Sequence, residues 1–332
     1  MNVQKQLAGG LVALVLAACG GAGPEESTEP VAAALPDAGV VEVGILHLNV
    51  ADMDRSLAWY RDVLGMQTVR DSGGPAPTQI VVEEGAMMHT HILEAPGGEF
   101  QMELVEVSGV ELRPQEPHIQ DPGAVMLAMN VADLDGALAG ARRLGFEIIS
   151  DGEIVVTEER GRQAMVRDAD GFVSYMSQNT ETDPSSVLFD YVFVSVADLD
   201  ETVAFYNGVF GLSIEAPGAL RPTPERILAL VGNAALAEFR LTSEDAFSGT
   251  EGAFRFQEFS GGRQKPVRHR VQDPGGPILT MVVEDLAGLI ERVRAYGGAI
   301  GDGETFGTLP PDATVAWIRD PNGMLIRAAA AQ

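Results

Sequence analysis

The sequence predicts an α+β fold built from four repeated units taken two by two, and three observations carry that prediction. Four segments align on one aspartate: ILHLNVADMD with Asp52, MLAMNVADLD with Asp133, YVFVSVADLD with Asp198 and ILTMVVEDLA with Asp285. Each reads as an alternating strand running into a helix. The motif QDPG at Gln120 returns at Gln272, and RDADG at Arg167 returns as RDPNG at Arg319, both 152 positions on. The helices alternate between a longer and a shorter kind, so the units run odd, even, odd, even.

Within each first strand, residues two apart share a face. Leu46, Leu48 and Val50 form the helix-facing set of unit one, and Leu127, Met129 and Val131, then Val192, Val194 and Val196, then Leu279, Met281 and Val283 form the others. The aspartate that follows stands where an N-cap belongs, its carboxylate placed to accept from the free N–H groups of the first turn. In the longer helices Leu57, Tyr60 and Leu64, or Val203, Tyr206 and Phe210, line one side, and Gly65 or Gly211 supplies a stop. The shorter helices end at Leu144-Gly145 and Tyr296-Gly297. Three further strands are predicted after each odd helix: TQIVVEEG, MMHTHILE and EFQMELVEV in unit one, ERILALVG, ALAEFRLT and AFRFQEF in unit three. RDADG and RDPNG have turn chemistry, with Gly171 and Gly323 tolerating positive φ, and each predicts a hairpin. The polar stretch SQNTETDPSS, from Ser177, separates two halves, residues 42–178 and 187–330.

A strand, a helix and three strands per unit resembles the vicinal oxygen chelate superfamily, the glyoxalase, bleomycin-resistance and extradiol-dioxygenase fold. The resemblance runs from about residue 42 to the end. It implies two glyoxalase-like modules, each of two βαβββ units forming an eight-stranded cup, with each sequence half closing its own cup. That fold hosts enzymes and sequestering proteins alike. In its metal-dependent members one ligand, usually His, comes from the first strand seven residues before the aspartate, and another, usually Glu, from the fourth strand. Here those places hold Ile45, Met126, Tyr191 and Ile278, and Glu103, Tyr175, Arg255 and Arg327. One carboxylate does not hold Zn, Fe or Mn, so no cofactor is expected. The alternative is a divalent metal on an irregular set in the first half, made of His47, Glu103 and one of His89 or His91. The other reading of those histidines is that His89 and His91 face solvent or hydrogen bond locally while His47 is a satisfied cup residue.

The second half suggests an anion instead. Arg255 and Arg327 occupy would-be ligand positions, where a buried guanidinium calls for an anion, and Tyr191 adds a donor. They are expected to converge on one cup. RQKPVRHR contributes Arg263, Lys265, Arg268 and Arg270 without an acid between them. Either these cations rim a ligand pocket or they pair with the protein's own acids, Glu258 or Asp320 for example. Asp168 and Asp320 read as turn residues and not as catalytic groups.

At the N-terminus Lys5 precedes an apolar run, Leu11 to Leu16, too short to span a bilayer and laid out like a signal peptide. The stretch ending in Cys19-Gly20 resembles the bacterial lipobox, which implies a signal at 1–18, a lipid on Cys19, an acidic tether at 19–41 and a periplasm-facing position on the outer membrane. Cys19 is the sole cysteine, so no internal disulfide forms. A net charge of -26 excludes nucleic acid as a partner. The expected function is a lipid-anchored monomer, its modules paired internally, that binds or sequesters a small, anionic molecule in a cup. The alternatives are a metal-dependent lyase or dioxygenase in the first half and a non-catalytic scaffold with filled cups.

Overall fold

The computed structural model describes residues 39–331 except 79, 82, 97–99, 159, 179–187, 216–217, 243–246, 250–251 and 302–313. The expected signal peptide, Cys19 and most of the tether and spacer lie outside the described residues. Unit one comprises β1 (Val40–Val50), α1 (Met53–Tyr60), β2 (Gln67–Asp71), β3 (Ala76–Pro77), β4 (Met87–Glu94) and β5 (Gln101–Ser108). Unit two comprises β6 (Val125–Asn130), α2 (Leu134–Leu144), β7 (Glu147–Ile148), β8 (Val155–Thr157), β9 (Gly161–Arg167) and β10 (Val173–Gln178). Unit three has β11 (Leu188–Val196), α3 (Leu199–Phe210), β12 (Arg221–Pro222), α4 (Glu225–Val231), β13 (Glu238–Leu241), β14 (Phe247–Gly249) and β15 (Gly252–Ser260). Unit four has β16 (Pro277–Val283), α5 (Leu286–Ala295), β17 (Ala299–Ile300), β18 (Val315–Arg319) and β19 (Leu325–Ala330).

Two sheets result, and their membership corrects the expected pairing. Sheet one runs β17-β18-β19-β16-β1-β5-β4-β2, joining units four and one, with β3 against β4. Sheet two runs β12-β13-β15-β11-β6-β10-β9-β7, joining units three and two. Each sequence half therefore contributes to both sheets. At each seam the two first strands pair antiparallel, β1 with β16 and β6 with β11. The strand alternation is alike in every unit, so it fixes which face is buried and leaves the neighbour unspecified.

Within each half, helices and hairpins tie its two units together across the two sheets. Tyr60 of α1 donates its hydroxyl to Asp168 Oδ2 (3.1 Å), and Tyr206 of α3 donates to Asp320 Oδ2 (3.2 Å). The amide of Ala51 donates to Asp170 (3.0 Å), that of Ala197 to Asn322 (2.8 Å). Trp59, fully buried, donates from Nε1 to Ser174 Oγ (3.2 Å) and packs edge-on against Phe146. These equivalent contacts occupy Asp168 and Asp320 in the two hairpins, where Gly171 and Gly323 adopt φ 90 and 98.

All twelve helix-facing residues of the four first strands lie in one continuous core with the apolar sides of α1, α2, α3 and α5. Asp52, Asp133, Asp198 and Asp285 cap their helices, each accepting from the backbone N–H three residues on. Two expected strands are absent among the described residues. The described residues of TQIVVEEG form no strand, and their place in the sheet is taken by β2. ERILALV is the helix α4, started by Pro224 and stopped by Gly232 at φ 61. Its apolar residues Ile227, Leu230 and Val231, three and four apart, suit one face of a helix as well as a strand, and the local stop and start decide.

Candidate functional site

Each sheet has a cavity on the face opposite α1, α2, α3 and α5. Cup one, in sheet one, has a volume of about 260 Å³ and takes its polar lining from His47, Asn49, Glu103 and Arg327. Alternation places these groups there: Leu46 and Leu48 point to the core, so His47 and Asn49 point to the cup. His47 is the lateral partner of Glu103 on β5 and of Ile278 on β16, and Arg327 on β19 is that of Thr280. The row crosses four adjacent strands. His47 Nδ1 lies 2.6 Å from Glu103 Oε2 and its Nε2 lies 2.7 Å from Thr280 Oγ1. Burial raises the Glu103 carboxyl, yet the His47 hydrogen bond and charge, the Thr90 hydroxyl and the Arg327 charge together hold it below its ordinary value. A carboxylate-held imidazole of this kind can take or give a proton at Nε2. Asn49 Nδ2 donates to Val271 and Asp273 carbonyls, while its buried Oδ1 has no partner among the described residues.

Cup two, in sheet two, is smaller, about 150 Å³, and largely aromatic and aliphatic: Tyr175, Tyr191, Phe193, Phe239 and Phe259 line it with Met126. Helix α4 contributes Ile227, Leu230 and Val231 to its wall. Arg255 is the lateral partner of Phe193, and its guanidinium lies over the Tyr191 ring, 3.7 Å from the centroid. That contact sets the cation against an electron-rich face. Arg255 Nε is buried and has no hydrogen-bond partner among the described residues. Tyr175 donates to Gln163 Oε1 (2.5 Å), so this tyrosine is already engaged.

The expectation that Arg255 and Arg327 share a cup is overturned. They sit at equivalent positions of units three and four, and those units belong to different sheets. Tyr191 and Arg255 do meet; Arg327 instead faces the His47–Glu103 pair. The basic run does not form a pocket rim either. Arg270 is buried in ion pairs with Asp273 (2.8 Å) and Glu83 (3.0 Å), and Arg263, Lys265 and Arg268 are exposed and line neither cup. Of the acids suggested as partners, Glu258 pairs with Arg240 (2.7 Å) and Asp320 with Tyr206.

A metal held jointly by His47, Glu103 and His89 or His91 is also overturned, by strand parity. Thr90 and Met88 face cup one, so His89 and His91, one residue out of step, lie on the opposite side of sheet one. What remains in cup one is one imidazole with both nitrogens engaged, one carboxylate and a guanidinium. That donor set does not fit a transition-metal site. In cup two the corresponding places hold Met126, Tyr191, Tyr175 and Arg255, which fit no metal. His89 and His91 do form a cluster of their own with Asp71, a residue that sequence reasoning missed because an aspartate before Gly73-Gly74 reads as a turn former.

Comparison with known proteins bears on the fold. The family profile described as Glyoxalase/Bleomycin resistance protein/Dioxygenase superfamily matches residues 41–173 and again 188–328. Among solved structures, glyoxalase I from Zea mays is similar at 17% identity, covering 87% of this chain and 92% of that one, with a TM-score of 0.54. A putative dioxygenase from Bacillus subtilis subsp. subtilis str. 168 aligns at 9% identity, over 88% of this chain and 86% of that one, with a TM-score of 0.49. At such identities the likeness is one of fold alone. No protein of curated function matches the sequence.

Proposed function

Since the chain belongs to the Glyoxalase/Bleomycin resistance protein/Dioxygenase superfamily, we propose that it is a binding protein which encloses a small molecule in cup two. The ligand has an apolar, ring-sized body and an anionic head, and the head lies against Arg255. One observation carries this reading: a buried guanidinium nitrogen without a hydrogen-bond partner among the described residues, in the lining of a largely aromatic cavity. Leaving such a donor unsatisfied is costly, and a carboxylate is the acceptor that matches its geometry. A cavity of about 150 Å³ takes a benzene-sized body. Ligand that binds only the folded state raises the melting temperature. Benzoate and related aromatic acids are therefore expected to stabilise the protein, with phosphate and sulfate as controls for the head alone. Arg255→Met should abolish the effect and Arg327→Met should leave it. If no acid in such a panel shifts the wild-type melting curve, the reading fails.

We further propose that the protein is anchored by a lipid on Cys19 to the outer membrane, faces the periplasm and acts as a monomer. The sole cysteine at the end of a short apolar run supports the anchor. Cys19→Ser should abolish acyl labelling and processing at that point. Unchanged labelling and membrane partition of the variant would remove the claim.

A further inference from the structure

We propose that Asp71, His89 and His91 form a binding site for one divalent first-row transition-metal ion on the helix-facing side of sheet one. The site is separate from both cups and does not depend on what cup two binds. Its geometry is the first argument. The Nε2 atoms of His89 and His91 stand 3.1 Å apart, and Asp71 Oδ1 lies 3.5 Å from each. A point equidistant from those three atoms lies about 2 Å from each, which is the ordinary length of a bond from such an ion to imidazole nitrogen or carboxylate oxygen. A hydrogen bond between the two rings accounts for the 3.1 Å separation alone. It does not account for a carboxylate oxygen held at one distance from both nitrogens.

The backbone explains why the three converge. His89 and His91 are two apart on β4 and so share a face, and Asp71 on the edge strand β2 is the cross-strand partner of His91. Asp71 is fixed in turn, since Oδ1 accepts the backbone N–H of Gly73 at 2.7 Å. That turn needs Gly73 and Gly74 at φ 78 and 119. His91 is 7% exposed, and its Nδ1 has no partner among the described residues, so its polar contacts run through Nε2. On the far side of His89 stands Glu106, its cross-strand partner on β5, with Oε2 4.0 Å from His89 Nδ1. The other oxygen of Glu106 accepts the N–H of Met53 at the start of α1. A carboxylate behind a ligating histidine is the usual outer partner of such a site.

Two imidazoles and one carboxylate suit zinc, nickel, cobalt or copper in preference to calcium or magnesium. The Asp71 side chain is 47% exposed, so the cluster opens to solvent and leaves room for water on the ion. All five residues of β2 are exposed, and an ion here would tie this edge strand to β4.

The test uses the full chain without a tag, stripped with a chelator and titrated with Zn²⁺ alone. One equivalent is expected to bind. Asp71→Asn and His89→Gln, both at partly exposed positions, should weaken binding by more than about 100-fold, since loss of even an outer partner costs about 10- to 100-fold. Glu106→Gln should cost about tenfold. His47→Gln and Glu103→Gln should bind zinc as the wild type does. Melting curves of the metal-free variants, matching that of the metal-free wild type, exclude misfolding as the cause. No stoichiometric binding by the wild type, binding retained in the Asp71 and His89 variants, or binding lost in the cup-one variants would each overturn the proposal.

Discussion

Cup one and cup two are made from equivalent strands, yet one has answered its own charges and the other has not. In cup one Glu103 meets His47, the Thr90 hydroxyl and the field of Arg327, and His47 is held from both sides. In cup two the cation sits on an aromatic ring and its Nε has no acceptor among the described residues. Their walls differ in the same sense. In unit one Ile80 and Val81, outside any strand, line cup one, whereas the corresponding segment of unit three is a helix that lays Ile227, Leu230 and Val231 over cup two. The frame of core-facing residues is shared; the cup-facing set is free to diverge, because alternation decouples the two faces of a strand.

That contrast can be broken at cup one first. Glu103→Leu leaves His47 Nδ1 inside the cup without its acceptor, and the expected loss is about 1–3 kcal/mol in denaturant unfolding. An unchanged midpoint would mean the pair is not a stabilising feature. In cup two, Tyr191→Leu removes the ring beneath Arg255 and should weaken aromatic-acid binding by about 2- to 30-fold, the range of a cation–π contact. Binding that survives intact would detach Tyr191 from the site.

The smallest effect is on pH dependence, and its sign differs between two acids, the half-buried Glu103 and the buried Asp320. Glu103 lies below its ordinary value when folded, so its contribution is present above about pH 4.5 and fades as pH falls. Asp320 is pushed up to about 6 by burial. The folded state then holds this proton more tightly than the unfolded one, so stability from Asp320 falls as pH rises from about 4 to about 6. The slope is at most about 1.4 kcal/mol per pH unit. Asp168 and Asp170, pushed up to about 7 and about 6 by burial, act in the same direction, so Asp320→Asn should make that limb less steep and Glu103→Gln the more acid one, both followed by urea midpoints against pH. Exchanged effects would show that the charges of the hairpin and the cup have been assigned the wrong way round.

Local features were legible in the sequence. The aspartate N-caps, the glycine turns and the core-facing residues each follow from rules that act within a few residues. Sheet membership was not, because four alike strands satisfy the same pattern whichever neighbour they take. Arg255 and Arg327 align in sequence and part in space for that reason. The histidines of β4 were visible, but their side of the sheet depends on a register set against Glu103 of β5, a cross-strand relation. Asp71 was hidden by its resemblance to a turn residue, and ERILALV by a length at which strand and helix periodicities coincide.

The nested order of the units also governs how the chain can be assembled. Units two and three are neighbours along the chain and can close their sheet as soon as unit three has been made. Unit one must hold its β1 edge open until unit four arrives, and the contact between His47 and Thr280 spans 233 positions. An unpaired strand edge kept waiting invites pairing with other chains. Synthesis from the N-terminus therefore finishes this protein from the inside outward, with its first strand among the last to be sealed, and a chain that stops short of β16 is left with that edge uncovered.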